Sequence, residues 1–140
     1  MKKRAVVSLT QAQRSGSILV VEDEDMVRNF LVRVLERHHE VEAVESGVHA
    51  LELFAADKFD VAMVDLGMPQ MPGDRVAEHL RKIDPHIVTV LITGWDLDNH
   101  DPRRAVFDFH VKKPFDSVDK ILNIVASAIR TRDARVDNRS

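Results

Sequence analysis

Residues Ile18-Leu19-Val20-Val21 run without a break into Glu22-Asp23-Glu24-Asp25. An apolar run this short, mostly β-branched and unalternated is the pattern of a strand buried on both faces of a parallel sheet. It stops abruptly at acid. Beyond the acids, Met26, Val27, Phe30, Leu31, Val34 and Leu35 recur at three-and-four spacing, which predicts a helix with one apolar stripe. A doubly buried strand feeding at once into an amphipathic helix is the opening of a strand-helix-strand unit.

The same phrase repeats along the chain. Val41 to Val44 reads as a short strand. Ser46 caps a helix carrying Val48, Leu51, Phe54 and Ala55. Val61-Ala62-Met63-Val64 is a second doubly buried strand, and it too stops at an acid, Asp65. Gly67, Pro69, Pro72 and Gly73 make a loop, and a helix from Asp74 to Ile83 ends at Asp84-Pro85. The strand Ile87 to Ile92 stops at Thr93-Gly94. Asp101-Pro102 is a cap followed by a first-turn proline for a brief helix. Phe109 to Val111 is a last strand, and Ser117 to Ile129 a final amphipathic helix. Five strands alternating with five helices predict a doubly wound α/β fold with a parallel sheet covered on both faces.

Such sheets bind ligands beyond the carboxyl ends of their strands, where strand order reverses. Those ends carry Glu22 and Asp23, then Asp65, Thr93, and Lys113-Pro114. Three carboxylates gathered there repel one another by about 4 kcal/mol per close pair at an effective dielectric of about 20, so a cation is required. Hard oxygen donors suit Mg²⁺. Lys113 and one Mg²⁺ would together balance the three acids. A phosphoryl group in flight would then meet a metal, an ammonium and the Thr93 hydroxyl. Asp65, alone at the end of the central apolar strand, is the expected acceptor, and Glu22 with Asp23 the pair suited to the metal.

Composition narrows the alternatives. The 140 residues suffice for one domain and are too few for two catalytic lobes. The formal charge of -3 supplies no positive field for a nucleic-acid backbone or an anionic membrane. With 44% apolar and 31% charged residues, and no apolar run near the roughly 20 that a membrane span needs, the chain reads as globular and soluble. There is no cysteine, hence no disulfide or thiolate metal site, in keeping with a cytoplasmic location. The run Asp96 to Asp101 lacks the glycine and terminal glutamate of a calcium loop.

Taken together, Ile18-Leu19-Val20-Val21-Glu22-Asp23-Glu24, Val64-Asp65-Leu66-Gly67-Met68-Pro69 with Gly73, Ile92-Thr93-Gly94 and Lys113-Pro114-Phe115 resemble, in order and spacing, the receiver domains of two-component response regulators, over about residues 17 to 130. The resemblance implies a flavodoxin-like sheet of order 2-1-3-4-5. It implies Asp65 as phosphoacceptor, with Glu22, Asp23, Asp65 and the Gly67 carbonyl as Mg²⁺ ligands. It further implies Thr93 and Lys113 as phosphoryl contacts and a cis peptide before Pro114. The donor would be a phosphohistidine on a sensor histidine kinase or a phosphotransfer domain. The output would pass to a downstream protein, or to a homodimer, through the surface of the fourth helix, last strand and last helix. No direct nucleic-acid or membrane contact is implied, and no enzymatic turnover beyond self-phosphorylation and slow self-dephosphorylation. The wording Ile92-Thr93-Gly94-Trp95 resembles receivers of hybrid sensor kinases.

This chain departs from the family pattern at several places. Glu22 stands where Asp is commoner. His110 occupies the switch position, usually aromatic, before the lysine. Gly67 and Trp95 occupy the two positions flanking the path of a hydrolytic water, and neither supplies a base, so a slowly hydrolysed phosphate is expected. Residues 1–16 are expected to be an extension or linker and 131–140 a polar tail, and His38-His39 are expected to face solvent at a helix end. The rival reading is a haloacid-dehalogenase-like phosphatase with Asp23 as nucleophile, which lacks the acidic motif expected after the lysine.

Overall fold

A computed structural model describes residues 14–138. Along them run β1 (Ser17–Val21), α1 (Asp25–Leu35), β2 (Glu40–Val44), α2 (Gly47–Leu53), β3 (Val61–Asp65), α3 (Gly73–Ile83), β4 (Val88–Thr93), a 3-10 turn (Pro102–Val106), β5 (Phe109–Lys112) and α4 (Val118–Asp137). Every strand pairing is parallel, in the order β2-β1-β3-β4-β5. The chain therefore winds outward from β1 in both directions, and the reversal between β1 and β3 places a crevice at their carboxyl ends.

The unalternated apolar runs have a direct cause in the layering. Successive side chains of a strand point to opposite faces. Leu19 and Val21 of β1, with Ala62 and Val64 of β3, enter a core closed by Ala50 of α2 and Val76, Ala77 and Leu80 of α3. Ile18 and Val20, with Val61, Met63, Val88, Val90 and Ile92, enter a second core closed by Leu31 and Leu35 of α1 and Ile121, Val125 and Ile129 of α4. Both residues of each strand repeat must be apolar because both faces are covered. The edge strand β2, by contrast, alternates exposed glutamate with partly buried side chains. Two helix starts follow the sequence reading, for Ser46 accepts the amide of His49, and Ser117 that of Lys120.

Three sequence expectations are corrected. Among the described residues there are four α-helices rather than five, because the segment opened by Asp101-Pro102 closes only a 3-10 turn of 5 residues. The final helix does not stop at Ile129 but runs through the stretch read as a polar tail to Asp137. Its continuation is anchored by polar groups rather than an apolar stripe, so hydrophobic periodicity could not follow it. His39 does not face solvent. It is buried, and its Nδ1 accepts the Gly16 amide at 3.0 Å. Residues 1–13 of the expected extension lie outside the described residues.

A buried carboxylate, Asp84, and a half-buried one, Asp108, tie the amino-terminal edge of the sheet together. Asp84, after α3, accepts the amides of Asp57 (3.0 Å) and His86 (2.9 Å) and pairs with Arg132 of α4 at 2.8 Å. Burial opposes its ionisation, yet the Asp57 amide and the Arg132 guanidinium together hold its pKa below the usual range. Asp57 adopts a left-handed backbone (φ 64°) and receives the other arm of Arg132 at 2.9 Å. Asp108, before β5, pairs with Arg81 of α3 at 2.8 Å and Arg135 of α4 at 2.6 Å, and accepts the Thr89 amide at 2.9 Å.

Arg132 is 4% exposed and Asp84 2%, so removing the cation strands a carboxylate in the interior. Arg132→Met is expected to lower stability by about 3 kcal/mol, whereas Arg130→Met on the exposed face shifts it by less than about 0.5 kcal/mol. Urea denaturation of the two variants beside wild type checks this.

Candidate functional site

The polar residues that end β1, β3, β4 and β5 do converge. Glu22 is fully buried beneath the acidic turn, its Oε2 accepting the Glu24 amide at 3.1 Å. Asp65 is the last residue of β3 and is 5% exposed. Ligand oxygens of Glu22, Asp23 and Asp65 lie within 4.8 Å of one another. Lys113, whose amide bonds the Thr93 carbonyl at 2.8 Å, extends its ammonium into this group. Its Nζ stands 3.2 Å from Glu22 Oε1, 3.3 Å from Asp65 Oδ1 and 3.3 Å from Glu24 Oε1. The Lys113-Pro114 peptide is cis.

The electrostatics are those of a cation-poor acidic cluster. Burial, reinforced by the neighbouring charge of Asp65, pushes Glu22 up to about 7, against the opposing Glu24 amide and Lys113. Burial likewise raises Asp65, with Lys113 opposing. Burial would depress Lys113, but Asp65 and Glu22 outweigh it and its pKa is raised. One ammonium leaves the cluster short of positive charge. An all-oxygen donor set that resists full ionisation fits a hard divalent ion such as Mg²⁺. Glu22, Asp23 and Asp65 are the residues that would hold it.

Backbone packing fixes the acceptor's position. A Cβ on Gly73, the first residue of α3, would meet the Asp65 carbonyl oxygen at 2.1 Å, so α3 can start against the end of β3 only with glycine there. The Gly73 amide donates to the Leu66 carbonyl at 2.9 Å, and the Leu66 amide to that of Ile92 at 3.1 Å. Thr93, 8% exposed, accepts the Trp95 amide on Oγ1 at 3.0 Å, which leaves its hydroxyl proton available to a ligand. A cavity of about 890 Å³ opens over Asp65, lined also by Asp23, Gly67, Thr93, Trp95 and Lys113, with an apolar flank of Met26, Val27, Phe30 and Phe115.

Of the remaining sequence candidates, Gly67 and Trp95 line this cavity and His110 does not. The Trp95 indole packs on Gly67, its Cζ2 and Cη2 lying 3.2 and 3.3 Å from the place a Cβ would occupy. His110 lies within β5, back from the carboxyl end that delivers Lys113. Arg104 donates to its Nδ1 at 2.9 Å, so Nε2 carries the proton. That nitrogen is enclosed and finds no hydrogen-bond partner among the described residues. Burial and the Arg104 charge hold the His110 pKa below its ordinary value. A small cavity of about 130 Å³ joins His110 to Thr93 and Trp95. The sequence reading missed Arg104 and Glu24 as site neighbours. Glu24 belonged to an acidic run whose members it could not separate, and Arg104 sits in no motif.

Comparison with known proteins agrees with this architecture. Residues 18–126 match the family model described as "Response regulator receiver domain". The chain is 33% identical over 138 residues to the sensor kinase CckA of Brucella abortus, covering 94% of this chain and 14% of that protein. It is 31% identical over 126 residues to the transcriptional regulatory protein SrrA of Staphylococcus aureus, covering 88% of this chain and 52% of the other, so it spans about half or less of either relative. Among solved structures, the response regulator TrrA of Thermotoga maritima, in complex with Mg²⁺-BeF, superposes with a TM-score of 0.73 at 29% identity, over 81% of this chain and 98% of that one.

Because Glu22 is harder to ionise folded than unfolded, the folded state holds more protons between the ordinary 4.5 and about 7, and stability drains away as pH rises through that window. Glu22→Gln should abolish this loss. In chelator its urea midpoint is expected to pull ahead of wild type as pH rises from about 5 to about 8, by the equivalent of about 1 kcal/mol, while stabilisation by added Mg²⁺ largely disappears.

Proposed function

Since the chain belongs to the response regulator receiver family, we propose that Asp65 is its phosphoacceptor and that Glu22, Asp23 and Asp65, with the Gly67 carbonyl, hold the Mg²⁺ this transfer requires. The observation that carries the reading is Lys113 Nζ, at 3.3 Å from Asp65 and 3.2 Å from Glu22, at the one place where the sheet's winding reverses. The donor is a phosphohistidine of a sensor histidine kinase or phosphotransfer domain. TrrA, solved with Mg²⁺-BeF, supports the assignment of metal and phosphoryl site.

The chemistry follows from the positions. An ionised Asp65 oxygen attacks phosphorus in line with the donor imidazole nitrogen. The N–P bond breaks, and its electron pair stays on the ring. Lys113, already beside Asp65, faces the negative charge of the transferred group, and the Thr93 hydroxyl donates to one of its oxygens. Bound Mg²⁺ supplies neutralisation of phosphoryl and carboxylate charge. Little else is needed, because positioning and charge compensation dominate phosphoryl transfer. The protein is thus a switch rather than a turnover enzyme, and the rival assignment of Asp23 as a phosphatase nucleophile is set aside by family membership. No helix among the described residues is long and apolar enough to cross a membrane, and we place the domain in the cytoplasm with its kinase.

Drawing Thr93 toward a phosphoryl oxygen widens the small cavity beside His110 and lets the imidazole follow. This reshapes the surface of the 3-10 turn, β5 and α4 that a downstream protein or second copy would read. Gly67 and Trp95 offer no base to a hydrolytic water, so the phosphate persists.

Acetyl phosphate with Mg²⁺ is expected to add one phosphoryl group to wild type and Asp23→Asn to add it far more slowly, with Asp65→Asn unlabelled, as read by intact mass and peptide mapping. Label retained in Asp65→Asn would overturn the assignment. A neutral imidazole enters an enclosed slot more cheaply than a charged one. The gain in partner or dimer affinity on phosphorylation should therefore shrink as pH falls from about 7 to about 5 in wild type and stay level in His110→Phe, measured by titration at each pH.

A further inference from the structure

Trp95 is held from two sides, by the loop after Asp65 and by an arginine that the transfer chemistry does not use. On one side is the bare backbone of Gly67. On the other, the Arg103 guanidinium carbon lies 5.6 Å from the indole centroid. Arg103 is itself fixed. Asp101 Oδ1 accepts its amide and its Nε, both at 3.0 Å, and Asp101 Oδ2 accepts its Nη2 at 2.7 Å. The carboxylate thus caps the 3-10 turn and aims the guanidinium with one set of oxygens, and the pair keeps Asp101 down at about 2. A planar cation over an indole is drawn to the electron-rich face of the ring, which biases a ring that is otherwise half in solvent. Trp95 is 54% exposed, so the apolar interior does not hold it.

We infer that Arg103, locked to Asp101, is a positioning residue that clamps the Trp95 indole onto Gly67 and so roofs the approach by which water reaches a phosphorylated Asp65. The inference rests on Asp65 as the phosphoacceptor. In the hydrolysis it retards, a water oxygen attacks phosphorus, and the bond from phosphorus to the Asp65 oxygen breaks. The electron pair returns to the carboxylate, and inorganic phosphate leaves with the water's protons. Gly67, Trp95 and Thr93 all border the cavity over Asp65, and Thr93 holds the Trp95 amide, so the indole is tethered at the cavity rim by its backbone as well as by its face. The lifetime of the phosphorylated state is therefore set in part from the 3-10 turn, a segment that carries none of the acidic-site residues.

The chain contains one tryptophan and no tyrosine, so its fluorescence reports Trp95 alone. The test compares wild type, Arg103→Ala, Arg103→Gln, Gly67→Ala and the Gly67→Ala/Arg103→Ala double variant, all as the full chain. Acrylamide quenching reads the indole's shielding. Loss of phosphoryl label in Mg²⁺, after removal of acetyl phosphate, reads the lifetime. Arg103→Ala and Arg103→Gln are expected to raise quenching and to speed label loss at least about threefold. Gly67→Ala, whose methyl displaces the ring without offering any group that could orient water, should do the same, and the double variant should exceed neither single by much, because both remove one contact. Label loss unchanged in Arg103→Ala overturns the inference, whether quenching rises or not, as does full additivity of the two substitutions. No label on wild type would instead overturn the reading of Asp65, and the inference with it.

Discussion

A single ammonium set among buried carboxylates governs this molecule. Lys113 is delivered from the end of β5 into a group of acids delivered from β1 and β3, and no one of these strands could build the cluster alone. The sheet must therefore be complete, in the right order and register, before the site exists. The cluster in turn is the least comfortable part of the fold, since burial and mutual repulsion push Glu22 to about 7 and raise Asp65 above its ordinary value. The apolar cores on both faces of the sheet bear that strain. A site with unmet demand for positive charge is also a site that responds strongly when charge arrives, and this links the fold's energetics to its use as a switch.

The opposite edge of the sheet shows the contrasting way to hold an acid away from water. Asp84 and Asp108 are each matched by arginine and by backbone amides, so both remain ionised with lowered pKa values. These two residues stitch α3, the last helix and the amino-terminal ends of β4 and β5 into one block. The same residue type is thus stabilising at one edge and poised at the other, and the difference lies entirely in the number of cations and amide donors within reach.

Much of this was legible in the sequence, for identifiable reasons. The doubly buried strands announced themselves because short β-branched runs such as Ile18-Leu19-Val20-Val21 and Val61-Ala62-Met63-Val64, unalternated and each followed by a helical pattern, are what a sheet covered on both faces requires. The residues ending those strands were legible because fold geometry brings strand ends together whatever the details. What escaped the reading was held by side-chain geometry with no periodic trace. The last helix outruns its apolar stripe because Arg132 and Arg135 anchor it, and arginines near a chain end look solvated. His39 was misjudged because its partner is a backbone amide far along the chain. The 3-10 turn was taken for a helix because a cap and a proline mark where a helix starts but not how long it lasts. Arg103 and Arg104 had no motif to betray them, and only coordinates bring them onto Trp95 and His110.

Arg14, just ahead of β1, pairs with Asp60 at 3.0 Å and with Asp133 near the end of the last helix at 2.7 Å. One small staple thus joins the approach to β1 to the last helix, on the side of the sheet remote from the acidic cluster. A unit whose first strand and last helix start and end side by side can be spliced into a host chain as a cassette, because the host needs only a narrow gap to receive it. Its working face then remains outward and unobstructed. Portability of this kind requires no adaptation of Asp65 or its neighbours, and it is a property of two ion pairs at the far pole of the domain.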